Sequence, residues 1–455
     1  MTEPGSPPKT YWLETYGCQM NKAESGFLEY ELHKRGWRSA ACPDQARVVV
    51  LNTCSVRKTA EDRIWGRLGF YKAQKRQHPF RLVLMGCMSE RLKGQILEQA
   101  PHIDILVGNF QKHRLPELLE EDTCNAAQDM PARGGPHQEA HLIEAGEYRF
   151  AERHALSGFR AFLPIMHGCN NFCTYCIVPY VRGPEVSRDP DSVLAETRKL
   201  QQAEGVREIT LLGQNVNSYR YREDGGRIVT FPTLLHRVLA VLQPRTWLRF
   251  LTSHPKDVSP ELIELIADAP ALCPHIHLPV QHGSDRILAA MGRKYTRSQY
   301  LDLVERIRNF IPEVSLTTDI LIGFPGESEE DYRRTLELME EVRFDDAFTY
   351  RYNPREGTRA FELGDDVPDE VKKKRLGEVI ELQRNITRER RSRRVGNTVD
   401  VLVESVSKKS PKELLGRTES DLMVVFPGSV ERVGSFCRVE LLRLQGATFR
   451  GREVE

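Results

Sequence analysis

The sequence predicts an α/β protein with a doubly wound parallel sheet at its start, a partial βα barrel in the middle and a small all-β barrel at its end. Three observations predict this. Apolar strand-like runs alternate with amphipathic helical stretches from residue 10 to about 365. The early runs each cover about one βα unit, and three of them end in a cysteine. Beyond residue 394 the helical period gives way to short strands broken by turn residues. The expected domains are 8–122, a linker over 123–152, 153–390 and 391–455.

In the first domain, "KTYWLETYGC" reads as a strand ending at Cys18, and "ESGFLEYELHKRGW" as the helix after it. "ARVVVLNTC" is a buried strand ending at Cys54, and "RLVLMGC" a third ending at Cys87; "HIDILVGN" is a fourth. Parallel strands that share one sheet bring their carboxyl ends to a single crevice. Cys18, Cys54 and Cys87 are therefore expected to converge although they are far apart in the chain. Separate burial explains each cysteine singly, but not their repeated placement at strand ends.

The linker, "EDTCNAAQDMPARGGPHQEAHLIEAGEYRF", is polar and has no period. The middle domain offers six candidate strands: "FRAFLPIMHGC", "EITLLGQNV", "WLRFLTSHP", "HIHLPVQ", "SLTTDILIGFPG" and "DAFTYRYNP". Helical stretches lie between them. In such barrels the working groups stand at the strands' carboxyl ends. That rule selects Gln214, Asn215, Ser253, His254, Gln281, His282 and Asp319, and the turn from Gly323 to Gly326, as candidate ligand contacts. A charged helical arm follows over 368–394. From Lys372 to Arg394 it holds ten basic residues against three acidic.

Charge nearly balances over the 455 residues, with 65 Lys+Arg against 64 Asp+Glu, so only local clusters speak about partners. The start lacks the pattern of a signal peptide, and no run is apolar enough to span a membrane. A cytoplasmic protein with no membrane partner is expected. Ten cysteines in a reducing compartment point to metal binding or catalysis before disulfides. Cys42, Cys124, Cys273 and Cys437 stand alone and read as ordinary thiols.

"HGCNNFCTYC" places Cys169, Cys173 and Cys176 in a C-x3-C-x2-C run directly after a strand. Three thiolates can hold three irons of a four-iron cluster and leave the fourth open to a small molecule. A structural zinc would need a fourth ligand, such as His167.

"GCNNFCTYCIVPYVRG" resembles the cluster loop of radical S-adenosylmethionine enzymes, in the form carried by methylthiotransferases. "YGCQMN", "LNTCSVR" and "MGCMSER" resemble that family's amino-terminal domain, and the final β-barrel is similar to its RNA-binding TRAM domain. The resemblance covers nearly the whole chain. It implies two [4Fe-4S] clusters, one on Cys18, Cys54 and Cys87 and one on Cys169, Cys173 and Cys176, with S-adenosylmethionine at the second. It further implies that Gln214 and Asn215 meet the methionine end of S-adenosylmethionine and that the glycine turn at 323–326 meets its adenine. In the implied reaction one S-adenosylmethionine methylates a sulfur carried at the first trio. A second is cleaved at the later trio, and the radical formed opens C2 of an adenine to the methylthio group.

"NTCSVR", "GCMSER" and "SKKSPKELLGRTESDLMVVF" are most similar to the MiaB-type branch, which acts on N6-isopentenyladenosine beside the anticodon of tRNA. That implies a tRNA anticodon stem-loop as partner, a target base unstacked to reach the radical, a small-protein electron donor and a monomer. His167 is a departure, since arginine is common there; it leaves the cysteines unchanged. Two other readings stand beside this one. They are a methylthiotransferase acting on N6-threonylcarbamoyladenosine of tRNA, and a non-catalytic RNA-binding protein with structural zinc.

Overall fold

The computed structural model describes residues 8–56, 58–120, 150 and 155–454. The expected linker, apart from residue 150, and Cys124 lie outside the described residues.

The first domain is a five-stranded parallel sheet of β1 (Thr10–Thr15), β2 (Arg38–Ser39), β3 (Val48–Thr53), β4 (Arg81–Gly86) and β5 (Ile105–Val107), in the order β2-β1-β3-β4-β5. Every residue of β3 is buried, as a strand covered on both faces requires. Val48 and Val50 pack with Leu28 and Leu32 on one face. Val49 and Leu51 pack with Ile64, Leu68 and Tyr71 on the other. The sheet is thus doubly wound, and the strand order reverses between β1 and β3, which puts the crevice at their carboxyl ends.

In the middle domain β6 (Ala155–Ser157) pairs antiparallel with β7 (Arg160–Pro164). A short ribbon of β8 (Met166–His167) and β9 (Val186–Ser187) brackets the cysteine loop. β10 (Glu208–Leu212) is followed by the hairpin β11 (Arg220–Arg222) and β12 (Ile228–Thr230), then β13 (Trp247–Leu251), β14 (His275–His277), β15 (Ser315–Ile322) and β16 (Asp346–Arg351). β7, β10 and β13 form one parallel set, and β14, β15 and β16 another. A parallel bridge from Leu248 to Leu272 joins the two sets. The six expected strands therefore lie in chain order around an open barrel. Leu316, Ile320 and Ile322 pack outward on the helices with Val304, Tyr332 and Leu338. Thr317 and Asp319 point to the opposite, concave face, where they meet His277.

β17 (Thr398–Ser407), β18 (Ser410–Thr418), β19 (Met423–Pro427), β20 (Phe436–Gln445) and β21 (Thr448–Glu453) close into a barrel around Val403, Leu414, Phe426, Val439 and Phe449. This barrel seats under the middle domain. Arg249 donates to the backbone carbonyls of Glu419 and Thr418, each at 2.7 Å. Glu208, almost wholly buried, is shared by Arg160, Arg249 and Arg417. Among the lone cysteines, Cys437 lies in the small barrel's core and Cys273 in the seam with Trp247 and Leu402.

The charged arm is the helix Asp369–Ser392. It is less open to phosphate than its composition predicts. Lys372, Arg375, Arg390, Arg391 and Arg394 turn inward to Asp365, Glu327, Asp345, Asp346 and Glu313. Lys373 and Lys374 pair with acids of their own helix. Exposed Arg384, Arg388 and Arg393 have no ion pair among the described residues.

Candidate metal centres and ligand site

Cys18 precedes the helix Gln19–Lys34, Cys54 follows β3, and Cys87 opens the helix Cys87–Arg91 after β4. Because β1, β3 and β4 are neighbours, the three thiols meet at one end of the sheet. The Cys54 thiol is pushed up to about 12, by burial first and then by the charges of Cys87 and Cys18 beside it. A clamp of two asparagines fixes the strand ends. Asn21 Nδ2 donates to Asn52 Oδ1 at 3.0 Å and to the Thr53 carbonyl at 3.1 Å, and Asn52 Nδ2 returns a bond to the Asn21 carbonyl at 2.8 Å. Cys18 Sγ donates to Asn21 Oδ1 at 3.2 Å. Cys54 Sγ accepts from the Val56 amide and Cys87 Sγ from Asn109 Nδ2, each at 3.4 Å. Gly86 has φ +102°, and a Cβ there would collide with the Thr53 carbonyl, so the β4 end needs glycine.

The second trio sits on a loop held from several sides. Gly168 has φ +77°, and a Cβ there would strike the Pro184 carbonyl. The Cys169 amide donates to the Gly183 carbonyl at 3.1 Å. Asn170 and Glu185 exchange bonds at 3.2 and 3.1 Å. The Thr174 amide and hydroxyl anchor on the carbonyls of Met291 and Ala290. Burial lifts the Cys169 thiol to about 11. Burial, then the neighbouring Cys173 and Cys169, lifts Cys176 beyond the usual thiol range. Arg293, itself buried, donates from Nη1 to Cys173 Sγ at 3.4 Å.

The one-turn helix Val178–Arg182 carries the second loop against the first domain. Ile177 and Val181 pack on Cys87, and Asn109 Nδ2 donates to the Val181 carbonyl at 2.8 Å. Arg182 reaches Glu24 of the first domain at 2.8 Å, and Lys112 pairs with the same carboxylate. Burial opposes ionisation of Glu24, but Arg182 and Lys112 overcome it and hold its carboxyl below the usual range.

Both trios fit an iron-sulfur cube. Each offers three soft sulfur ligands with an arginine beside them; Cys54, Cys87, Cys169 and Cys173 are buried, Cys176 is half-buried and Cys18 is exposed. A cube takes each thiolate on a different iron, so the sulfurs stand apart. Arg182 Nη2 is buried with no hydrogen-bond partner among the described residues, and sulfide or thiolate would satisfy it. His167 is buried next to Arg182 and Lys112, and burial followed by those cations keeps its ring neutral.

The candidate ligand contacts fall into two groups at the barrel's carboxyl end. In one, Asn215 is consumed internally: Nδ2 donates to Asp257 at 2.7 Å and Oδ1 accepts from the His254 amide at 3.0 Å. It shapes the loop and has little left for a ligand. Ser253 donates to Asn217 at 3.3 Å, while Gln214 Oε1 is buried with no partner among the described residues. His254 stays neutral, driven down to about 2 by burial and then by Arg293. In the other group, Gln281 adopts φ +72° and pairs by backbone with Asp319 and Leu321. Asp319 faces His277 at 3.5 Å. His282 is buried against Glu327, which also accepts from the Gly323 amide at 2.7 Å. Tyr295 spans the groups, with its ring against His254 and its hydroxyl on the Val280 carbonyl.

Residues 163–339 match the Radical SAM superfamily, 10–108 match Uncharacterized protein family UPF0004 and 392–454 match the TRAM domain. A tRNA-2-methylthio-N(6)-dimethylallyladenosine synthase of Treponema denticola is 47% identical, over 97% of this chain and 99% of that one. The chain belongs to this synthase family. Its counterparts in Treponema pallidum and Moorella thermoacetica are 48% and 43% identical, each over 98% of this chain and 99% of theirs. The fold is also shared with the radical S-adenosylmethionine methyltransferase TsrM of Kitasatospora setae. That match has a TM-score of 0.56 at 15% identity, covering 78% of this chain and 77% of that one.

In this family member, sequence reasoning missed Arg182, Arg293, Glu24, Lys112 and Asn109. Arg182 lies six positions after Cys176, close enough to have been suspected. The others gain their meaning only from contacts made across the fold.

Proposed function

We propose that this chain adds a methylthio group to C2 of N6-isopentenyl (dimethylallyl) adenosine, 3′ to the anticodon of tRNA. It is a radical S-adenosylmethionine enzyme of the tRNA methylthiotransferase class, with an iron-sulfur cluster. The observation that carries the reading is the near end-to-end identity with synthases named for this product. The strand-end trios on either side of the helix Val178–Arg182 support it chemically.

In the finer reading there are two [4Fe-4S] clusters. Cys169, Cys173 and Cys176 would hold the one that binds S-adenosylmethionine, and Cys18, Cys54 and Cys87 the one that supplies sulfur. When bound, the former supplies the electron that splits S-adenosylmethionine to a carbon radical, chemistry no side chain provides. The protein's own part is orientation and exclusion of water. The Thr174 and Asn170 anchors hold the loop, while Gln214, Ser253, His254, Gln281 and Asp319 are the polar groups offered to S-adenosylmethionine, with Asn215 shaping their loop. The TRAM barrel and exposed Arg384, Arg388 and Arg393 offer the RNA surface. A small protein donates the electron, and the enzyme works as a monomer.

Anaerobic reconstitution followed by assay on tRNA tests this. The expected results are about eight irons per chain, four for each cluster, and a methylthio product on isopentenylated tRNA by mass spectrometry. Product on threonylcarbamoylated tRNA instead would change the substrate. Zinc without sulfide would end the enzymatic reading.

A further inference from the structure

The first trio belongs to the amino-terminal sheet, yet its walls come partly from the middle domain. Arg182 extends into the interface, is 3% exposed and meets Glu24. Arg355 makes a parallel crossing. Its Nη1 pairs with Glu61 at 2.8 Å and its Nη2 donates at 3.1 Å to the Val56 carbonyl, whose own amide bonds Cys54 Sγ. Each crossing arginine shares its glutamate with a cation of the first domain, Lys112 for Glu24 and Arg91 for Glu61. Both triads hold two cations to one carboxylate. Each therefore carries more positive than negative charge in a buried setting, where burial already holds the Lys112 ammonium below its ordinary value and charge is costly unless an anion answers it.

With a cluster in place, the thiolates of the first trio are the anions available. Ile177 and Val181, on Arg182's own turn, touch Cys87. The attraction of Cys87 and Cys18 helps to keep Arg182 charged against burial. Three thiolates on a cube with a 2+ core leave a net charge of −1, and reduction makes it −2.

We infer that Arg182 is a positioning residue that balances the charge of the cluster on Cys18, Cys54 and Cys87, so that this site is complete only when the two domains are docked. This rests on the reading that a second cluster is present. A cation beside the cluster stabilises the reduced form more than the oxidised one, and Glu24 tempers it. The two residues therefore tune the potential in opposite directions.

The test is an EPR-monitored redox titration of full-length protein carrying Cys169→Ala, Cys173→Ala and Cys176→Ala, which isolates the first site. Arg182→Gln lowers the midpoint potential, Arg182→Lys restores most of it, and Glu24→Gln raises it. Loss of packing alone would move both residues' variants the same way. Shifts of the same sign, or no shift, overturn the inference. Should Arg182→Gln fail to fold, the sign in Glu24→Gln decides: a rise supports the inference, and a fall or no change sinks it. Absence of iron and sulfide from the unsubstituted background would instead remove the second cluster, and the inference with it.

Discussion

Arg293 Nη1 donates to Cys173 Sγ at 3.4 Å, across 120 residues of sequence. Its other bonds go to the Tyr295 hydroxyl and the Pro279 carbonyl, with no carboxylate among them. A buried guanidinium so placed has the thiolate as its counter-charge. Arg293→Met is expected to reduce 5′-deoxyadenosine formation about 10- to 100-fold, matching roughly 1.5–3 kcal/mol for a charge-assisted bond. Iron and sulfide analysis beside product chromatography checks this.

The two trios are expected to separate by function. Cys54→Ala keeps S-adenosylmethionine cleavage but loses sulfur insertion, whereas Cys173→Ala abolishes cleavage. Full methylthio product from the Cys54 variant would remove the first trio from the reaction.

Gly168→Ala tests the loop's geometry. The left-handed backbone and the collision with the Pro184 carbonyl both oppose a side chain. The variant is expected to fold but to bind iron at the first site only, giving about half the iron of the parent. An unchanged iron content would show that the loop relaxes freely.

Glu208 locks the TRAM barrel to the middle domain. Burial would raise its carboxyl, but Arg249, Arg417 and Arg160 hold it below the ordinary value of 4.5. A carboxyl depressed in the folded state gives its full stabilisation above the unfolded value, and that is lost as pH falls through the folded one. Stability should therefore be flat in this respect above about pH 4.5 and decline below it. Glu208→Gln, which removes the ion pair of buried Arg249 while Arg160 and Arg417 keep Glu404, is expected to cost about 3–5 kcal/mol. Thermal melts of parent and variant across pH 3–7 measure both effects.

Exposed Arg384, Arg388 and Arg393 are the arm's free cations among the described residues. Their joint replacement by Ala should weaken tRNA binding and flatten the dependence of log affinity on log salt, by about 0.7–0.9 for each phosphate no longer neutralised. An unaltered slope would assign RNA binding to the β-barrel alone.

Much of this was legible in the sequence because it is local. A cysteine at the end of an apolar strand marks its own position, and the alternation of strands and helices marks a parallel sheet. Spacing alone marked the cysteine loop. What stayed hidden depends on partners distant in the chain. Asn215 looked like a ligand contact, but the fold spends it on Asp257 and His254. The basic arm shows ten cations against three acids in the sequence, but seven of those cations pair with carboxylates of the fold or of their own helix. Arg293 lay in "MGRKYT" with nothing nearby to mark it.

The packing of Ile177 and Val181 on Cys87 also bears on how the protein is made. Domains fold in order as a chain leaves the ribosome, at about 5–20 residues per second. Cys87 thus emerges roughly 5–20 seconds before Arg182 and its neighbours can cover it, by that same rate. During synthesis the amino-terminal thiols stand bare to oxidants, and metal delivered in that window would meet a half-built receptacle.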